Sequence, residues 1–180
     1  HSHIRTPEIQ GIFIMDEEKA FYIDTLSVKA DKAAGYIDRL DVSFFGHDIK
    51  DDVYSLMYFG LKNFTISYDT AIAEYVLDVS RNKYDLKTLT LEKLHRDLPD
   101  ESSVVGENGQ FEIFSDNNDA LADYGVLMSG IIRDIRQCQE SDIENNNLCK
   151  ILYDVELPLI EVLASMELNG IRANKDFIDD

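Results

Sequence analysis

The chain has 180 residues, of which 44% are hydrophobic, and a net charge of −18 from 17 basic and 35 acidic side chains. Because protein–DNA affinity comes largely from Lys and Arg neutralising phosphates, this composition argues against a surface that grips DNA by itself. No apolar run approaches the ~20 residues of a membrane-spanning helix, so we expect no membrane partner. Cys138 and Cys149 match no zinc spacing, and we expect two reduced thiols in a cytoplasmic protein.

The first quarter of the chain predicts a hairpin, a helix and a strand. Residues 11–15 and 20–23 are short apolar runs on either side of a polar turn at 16–19, as in an antiparallel hairpin. Residues 28–40 have the spacing of a helix with an apolar face. Residues 42–45 form a short apolar run, which predicts a buried strand.

Two acidic residues follow that strand. Residues 49–59 predict a helix that ends at Gly60. Asp48 and Asp52 are four residues apart, so a helix would place both carboxylates on one face. Two carboxylates at the end of a strand are the beginning of a divalent-metal site.

The middle of the chain predicts a further strand and two short helices. The strand covers 64–68, and Asp69 is the predicted N-cap of a helix that extends to Leu77. A second short helix covers 86–94. Aromatic residues Tyr54, Tyr58 and Phe59 could stack on bases, but their helical spacing is more typical of core packing.

The last part of the chain predicts a loop and two long helices. The loop covers 97–110, and the helices cover 117–139 and 141–168. Pro158 lies inside the second helix and should bend it. Strands come first and helices dominate the end, an order that indicates a layered α/β or α+β domain with a mixed sheet.

Residues 46–52 and 68–78 resemble the 3′–5′ exonuclease domain of bacterial DNA polymerase I, a family A polymerase. Residues 156–172 resemble the helix that leads from this domain into the polymerase domain. The resemblance implies a ribonuclease-H-like fold, with a mixed β-sheet flanked by helices and a helical C-terminal arm. It implies an exonuclease-like domain at 1–140 and a connecting helix at 141–180 that leads to a polymerase domain.

The resemblance also implies where a nuclease site would be. Such exonucleases hold two divalent metals with three motifs, Asp-x-Glu, Asn-x-x-x-Asp and Tyr-x-x-x-Asp. The second motif corresponds to Asp48 and Asp52, with Asp48 in place of Asn. The third corresponds to Tyr124 and Met128, with Met128 in place of Asp. A thioether is a poor ligand for hard cations such as magnesium, so this change would remove a metal contact.

Other formal matches to these motifs predict no site. The first motif should lie well before Gly11, so we expect that strand to be outside this sequence or lost. Residues 16–18 fit Asp-x-Glu but lie in the predicted hairpin turn. His47 and His95 each precede an aspartate by five residues, as in a variant third motif. His47 is predicted to be a loop or packing residue, and His95 precedes a loop and not a long helix.

We therefore expect a non-catalytic exonuclease-like domain. Asp48, Asp52, Tyr124 and Met128 would be vestigial site positions, with Asp52 the remnant of a metal ligand and no cofactor bound. The partner would be the polymerase domain of the same chain, which uses magnesium and contacts DNA. Two alternatives stay open. One is an active metal-dependent exonuclease whose first motif lies outside this sequence, and the other is a free-standing acidic interaction module.

Overall fold

The computed structural model describes residues 6–9, 11–16, 19–25, 27–40, 42–99 and 118–170. The strands are β1 (Gly11–Met15), β2 (Ala20–Asp24), β3 (Val42–Gly46) and β4 (Phe64–Asp69). The helices are α1 (Ala30–Ile37), α2 (Lys50–Tyr58), α3 (Thr70–Leu77), α4 (Leu86–Leu94), α5 (Asn118–Asn145), α6 (Cys149–Ile151) and α7 (Leu157–Asn169), with a π-helical turn at Leu152–Glu156. Most of the predicted loop at 97–110 lies outside the described residues.

Strands β1 and β2 form the predicted antiparallel hairpin. Phe13 pairs with Tyr22, and their rings stack with centroids 4.7 Å apart. At the turn, the Asp16 N–H donates to the Lys19 carbonyl over 2.9 Å, and the Lys19 N–H donates to the Asp16 carboxylate over 2.6 Å. The predicted turn is therefore confirmed, and the side chain of Asp16 helps to close it.

Strands β3 and β4 form a separate, parallel pair. The register runs from Val42 beside Phe64 to Gly46 beside Asp69, and α2 makes the crossover between them. A bulge leaves Ser67 as an extra residue on β4, and its hydroxyl donates to the Phe44 carbonyl over 2.9 Å. The α/β class is confirmed, and the described strands are arranged as one antiparallel pair and one parallel pair.

Two apolar clusters hold the helices in place. The first lies between β4, α2, α3 and α7, and its buried members include Val53, Tyr68, Leu152, Leu157 and Ile160. The second lies between α4 and α5 and consists of Leu86, Leu89, Leu98, Ile131 and Ile135. Tyr54 is buried in the first cluster, as predicted, whereas Tyr58 is partly exposed and lies edge-on to Phe59.

The C-terminal helices differ from the prediction. Helix α5 continues past Gln139 to Asn145, and a turn with Asn147 at φ +57° interrupts the helix that was predicted to be continuous. Pro158 lies in the first turn of α7, directly after the π-turn. The proline ring clashes with the carbonyl four residues before it, and proline has no N–H to donate to that carbonyl. The wider π-helical turn relieves this clash. The domain division at 140 stays a prediction.

Candidate functional site

The site region is built where two parallel strands end. Strand β3 leads through His47 to Ile49 into α2, and β4 passes directly into α3 at Thr70. In parallel sheets the carboxyl ends of adjacent strands meet at one edge, and this edge is where α/β proteins place their ligands. The N-termini of α2 and α3 therefore lie side by side.

One buried carboxylate joins these two helix starts. Asp69 is 1% exposed, and its side chain accepts four backbone N–H hydrogen bonds. The donors are Asp48 at 3.1 Å, Ile49 at 2.9 Å, Ala71 at 2.8 Å and Ile72 at 3.1 Å. Burial of a carboxylate is costly unless donors of this kind surround it. The predicted N-cap is confirmed, and the bonds to α2 are additional.

Asp48 does not lie on the helix that carries Asp52. Helix α2 begins at Lys50, and the backbone of Asp48 is left-handed with φ +51°. The prediction that Asp48 and Asp52 share a helical face was therefore wrong. Asp tolerates the left-handed region better than most residues, and this conformation accompanies the bond from its N–H to Asp69.

His47 serves as a packing residue in this loop, as predicted. Its Nδ1 lies 2.9 Å from the Thr70 hydroxyl, which in turn lies 3.3 Å from the Gly46 carbonyl. Since the hydroxyl donates to that carbonyl, it accepts from His47. Burial lowers the pKa of His47, although the carboxylates of Asp69, Asp48 and Asp85 act in the opposite direction.

A wide cleft lies between the β3–α2 side and α5. It has a volume of ≈ 1410 Å³, and Asp52, Tyr124 and Met128 all line it. The fold thus brings together three of the four predicted positions, while Asp48 is outside the lining. The Asp52 side chain is exposed to the cleft, yet the surrounding protein and the carboxylates of Asp51, Asp48 and Asp69 raise its pKa to about 6.

The donor atoms of this cleft do not fit a two-metal site. Met128 presents a thioether, and its side chain packs against the apolar cluster between α4 and α5. Divalent cations of the magnesium type need several hard oxygen ligands, and among the predicted positions in the cleft Asp52 alone brings a carboxylate. Asp134 and Glu140 also line the cleft, but they form ion pairs with Arg96 and Arg136. Among the described residues no group of three or more His, Cys, Asp or Glu side chains could hold a metal ion.

A second buried polar network holds α5 in position. Glu74 is 2% exposed and forms ion pairs with Arg81 at 2.7 Å and Lys93 at 3.1 Å. Gln139 of α5 donates its Nε2 to Glu74 and to the Thr70 carbonyl, each over 2.9 Å. The sequence analysis missed this network because its members are far apart in the chain and share no motif.

The remaining formal motif matches have structural positions. His95 ends α4 in the left-handed region, with φ +54°, and lies outside the cleft lining. Asp100 lies outside the described residues, and so do Glu17 and Glu18. Asp16 is at the edge of the cleft but belongs to the hairpin turn. Cys138 and Cys149 are free thiols.

These features define an α/β domain whose cleft lies beside the carboxyl ends of two parallel strands. The family model described as "DNA polymerase I, ribonuclease H-like domain" matches residues 1–127. The chain therefore belongs to the family of ribonuclease H-like domains of DNA polymerase I.

Three curated proteins illustrate its relatives, and each is named DNA polymerase I. The protein of Bacillus subtilis (strain 168) is 21% identical over 93% of this chain and 19% of its own length. The protein of Caldicellulosiruptor bescii is 27% identical over 97% of this chain and 19% of its own length. The protein of Mycobacterium leprae is 28% identical over 85% of this chain and 17% of its own length. The chain thus spans about a fifth of the length of these relatives. None of the described helices combines the length and apolar character needed to cross a bilayer.

Proposed function

We propose that this chain is part of a bacterial DNA polymerase I and is a non-catalytic version of its 3′–5′ exonuclease domain. Its role is structural, supporting the polymerase domain that synthesises DNA with magnesium in the cytoplasm. Membership of the family and the shared name of the relatives support the polymerase assignment. DNA contact is made through the polymerase domain, since the net charge of this chain is −18.

The composition of the cleft carries the proposal that catalysis is lost. Met128 stands where the resemblance calls for an aspartate, and it packs against the apolar cluster of α4 and α5. Asp52 retains a carboxylate, but burial by the surrounding protein, together with the carboxylates of Asp51, Asp48 and Asp69, raises its pKa to about 6 and disfavours its charged form. One carboxylate and a thioether are too few hard ligands to hold two divalent metals.

The rigid scaffold around the cleft supports the structural role. Asp69 joins the starts of α2 and α3 through four hydrogen bonds. Glu74 and Gln139 join α3, α4 and α5. These hydrogen bonds and ion pairs fix the helices relative to one another, with the Gln139 Oε1 the one buried oxygen of the described network that lacks a partner. A domain with such contacts can thus retain its fold after it has lost its catalytic activity.

A cleavage assay tests this proposal. The full-length product of the gene is incubated with a 5′-labelled single strand and either magnesium or manganese. We expect no metal-dependent shortening of the strand, and no difference between the native protein and Asp52→Ala. Shortening that requires metal and disappears in Asp52→Ala would overturn the proposal and favour the active exonuclease.

A further inference from the structure

Helix α7 has one apolar face inside the domain. Leu157, Ile160 and Ala164 are buried at spacings of three and four residues, which place them on one side of the helix. This side packs against α2 and the cluster that contains Val53. An ion pair between Lys50 and Glu167, 2.7 Å long, adds to the same contact.

The opposite face of α7 is also apolar, but solvent reaches it. Leu159, Val162 and Met166 repeat at spacings of three and four, and they are 40%, 51% and 56% exposed. Val155, on the preceding π-turn, is 54% exposed. A helix that is apolar on both sides is typical of one buried on both sides. We call Val155, Leu159, Val162 and Met166 the outer face of α7.

The comparisons indicate what covers this face. Helix α7 lies beyond residues 1–127, which match the ribonuclease H-like model, yet the alignment with the Caldicellulosiruptor bescii polymerase includes 97% of the chain. The alignment with a full-length polymerase therefore includes α7, although α7 lies outside the residues that match the ribonuclease H-like model. About four fifths of such a polymerase lies outside the match and can supply the cover.

We propose that the outer face of α7 docks against the polymerase domain of the same protein, an inference that rests on the proposed function. Glu161 lies exposed between the two apolar faces of the helix, so the docking groove is apolar with a basic side chain at one edge. The two faces make α7 a shared core element of both domains, and this fixes the exonuclease-like domain relative to the polymerase domain.

A matched pair of substitutions in the full-length protein tests the docking. Val162→Glu places a charge on the outer face, and Val79→Glu makes the same change at a site that is 68% exposed and far along the chain. We expect Val162→Glu to lower the melting temperature by roughly 5 °C, because a buried unpaired charge is costly. Val79→Glu should change it by about 1 °C or less. Equal shifts would overturn the docking.

Hydroxyl-radical footprinting of the unsubstituted full-length protein gives a second readout that needs no variant to fold. Rates at Val162, Met166 and Val79 are each divided by the rate in the unfolded chain. We expect several-fold stronger protection at Val162 and Met166 than at Val79. Equal protection would overturn the docking. Protection that depends on protein concentration would also overturn it, because a second copy would then be the occupant.

The outcomes separate this inference from the proposed function. Suppose that the full-length protein polymerises DNA and does not cleave it, but that the outer face of α7 is unprotected. This result would refute the docking alone. Metal-dependent cleavage together with a protected outer face would refute the loss of catalysis alone. A gene product without polymerase activity would refute both.

Discussion

The strand-end carboxylate and the cleft carboxylate of this chain lie close together but have opposite environments. Asp69 is buried and receives four backbone N–H groups. Asp52 faces a wide cleft, has other carboxylates as neighbours, and has a pKa raised to about 6. The first environment stabilises a charge, and the second penalises it.

The difference separates what the fold requires from what nuclease chemistry requires. Asp69 holds two helix N-termini at the ends of the parallel strands, so its loss would disturb the domain itself. Asp52 and Met128 occupy positions where the resemblance implies metal ligands, and their present contacts do not fit that task. A domain that is no longer selected for nuclease activity would retain residues that the fold needs, such as Asp69, and would change residues that only the metals need.

Removal of the strand-end carboxylate should have the largest effect. Asp69→Ala would leave four buried or half-buried N–H groups without their acceptor, which we expect to cost about 4 kcal/mol of unfolding free energy. Asp85→Ala is the control, because Asp85 caps only the start of α4 and is exposed. Its expected cost is about 1 kcal/mol. Urea denaturation measures both, and equal costs would remove the special role of Asp69.

Loss of the buried ion pairs should rank next. Glu74→Ala would leave Arg81 and Lys93 without their buried partner, at an expected cost of about 3 kcal/mol. Glu92 also pairs with Arg81 but is 48% exposed, so Glu92→Ala should cost less than ~1 kcal/mol. The same denaturation experiment compares the two, and a larger effect for Glu92→Ala would contradict the assigned network.

Substitution of the cleft methionine should have an intermediate effect. Met128→Asp places a carboxylate against the apolar α4–α5 cluster, and we expect it to cost about 2 kcal/mol. Met128→Leu keeps a similar volume without polarity and should cost less than ~1 kcal/mol. If Met128→Asp were as stable as the native chain, Met128 would not be a packing residue and the proposed change of role would fail.

The cleft carboxylate should produce the smallest effect, with a distinct pH dependence. The pKa of Asp52, about 6, lies above its ordinary value of 3.8, so the folded chain holds this proton more tightly than the unfolded chain does. The stability that the proton provides is complete below the ordinary value and is lost as the pH rises through about 6. Asp52→Asn should therefore stabilise the protein above about pH 6 and have no effect below about pH 4.

The expected gain from Asp52→Asn is less than ~1 kcal/mol, since water in the cleft screens the charge. Asp51→Asn is the control on the same helix turn, because Asp51 pairs with Lys50 over 2.9 Å. That change should destabilise slightly at neutral pH, which is the opposite sign. Melting curves across the pH range distinguish the two, and a gain from Asp52→Asn that is independent of pH would contradict the raised pKa.

Local patterns predicted most of the described elements. The hairpin, helix α4 at 86–94 and the N-cap at Asp69 are confirmed because each depends on neighbouring residues. The helical pattern failed at Asp48, where a tertiary bond to Asp69 accompanies a left-handed residue before the helix. It failed again near Asn147, where a turn interrupts the helix predicted at 141–168.

The candidate site could be predicted only in part, because several of its contacts join residues that are far apart in the chain. Motif spacing identified Asp52, Tyr124 and Met128, and the fold brings them to one cleft. Neither the donors that Asp48 and Ile49 supply to Asp69 nor the pairs around Glu74 follow from spacing, because they depend on the register of β3 with β4 and on the packing of α5. Long-range contacts of this kind carry no local sequence signal.

Titration of manganese into the full-length protein tests the central claim most directly. Calorimetry at about pH 8 keeps Asp52 ionised, so that protonation does not mask a site. If the cleft has lost catalytic metal binding, the native protein and Asp52→Ala should give the same binding heat, with no saturable component that the substitution removes. Saturable binding of two manganese ions per chain that Asp52→Ala abolishes would contradict it.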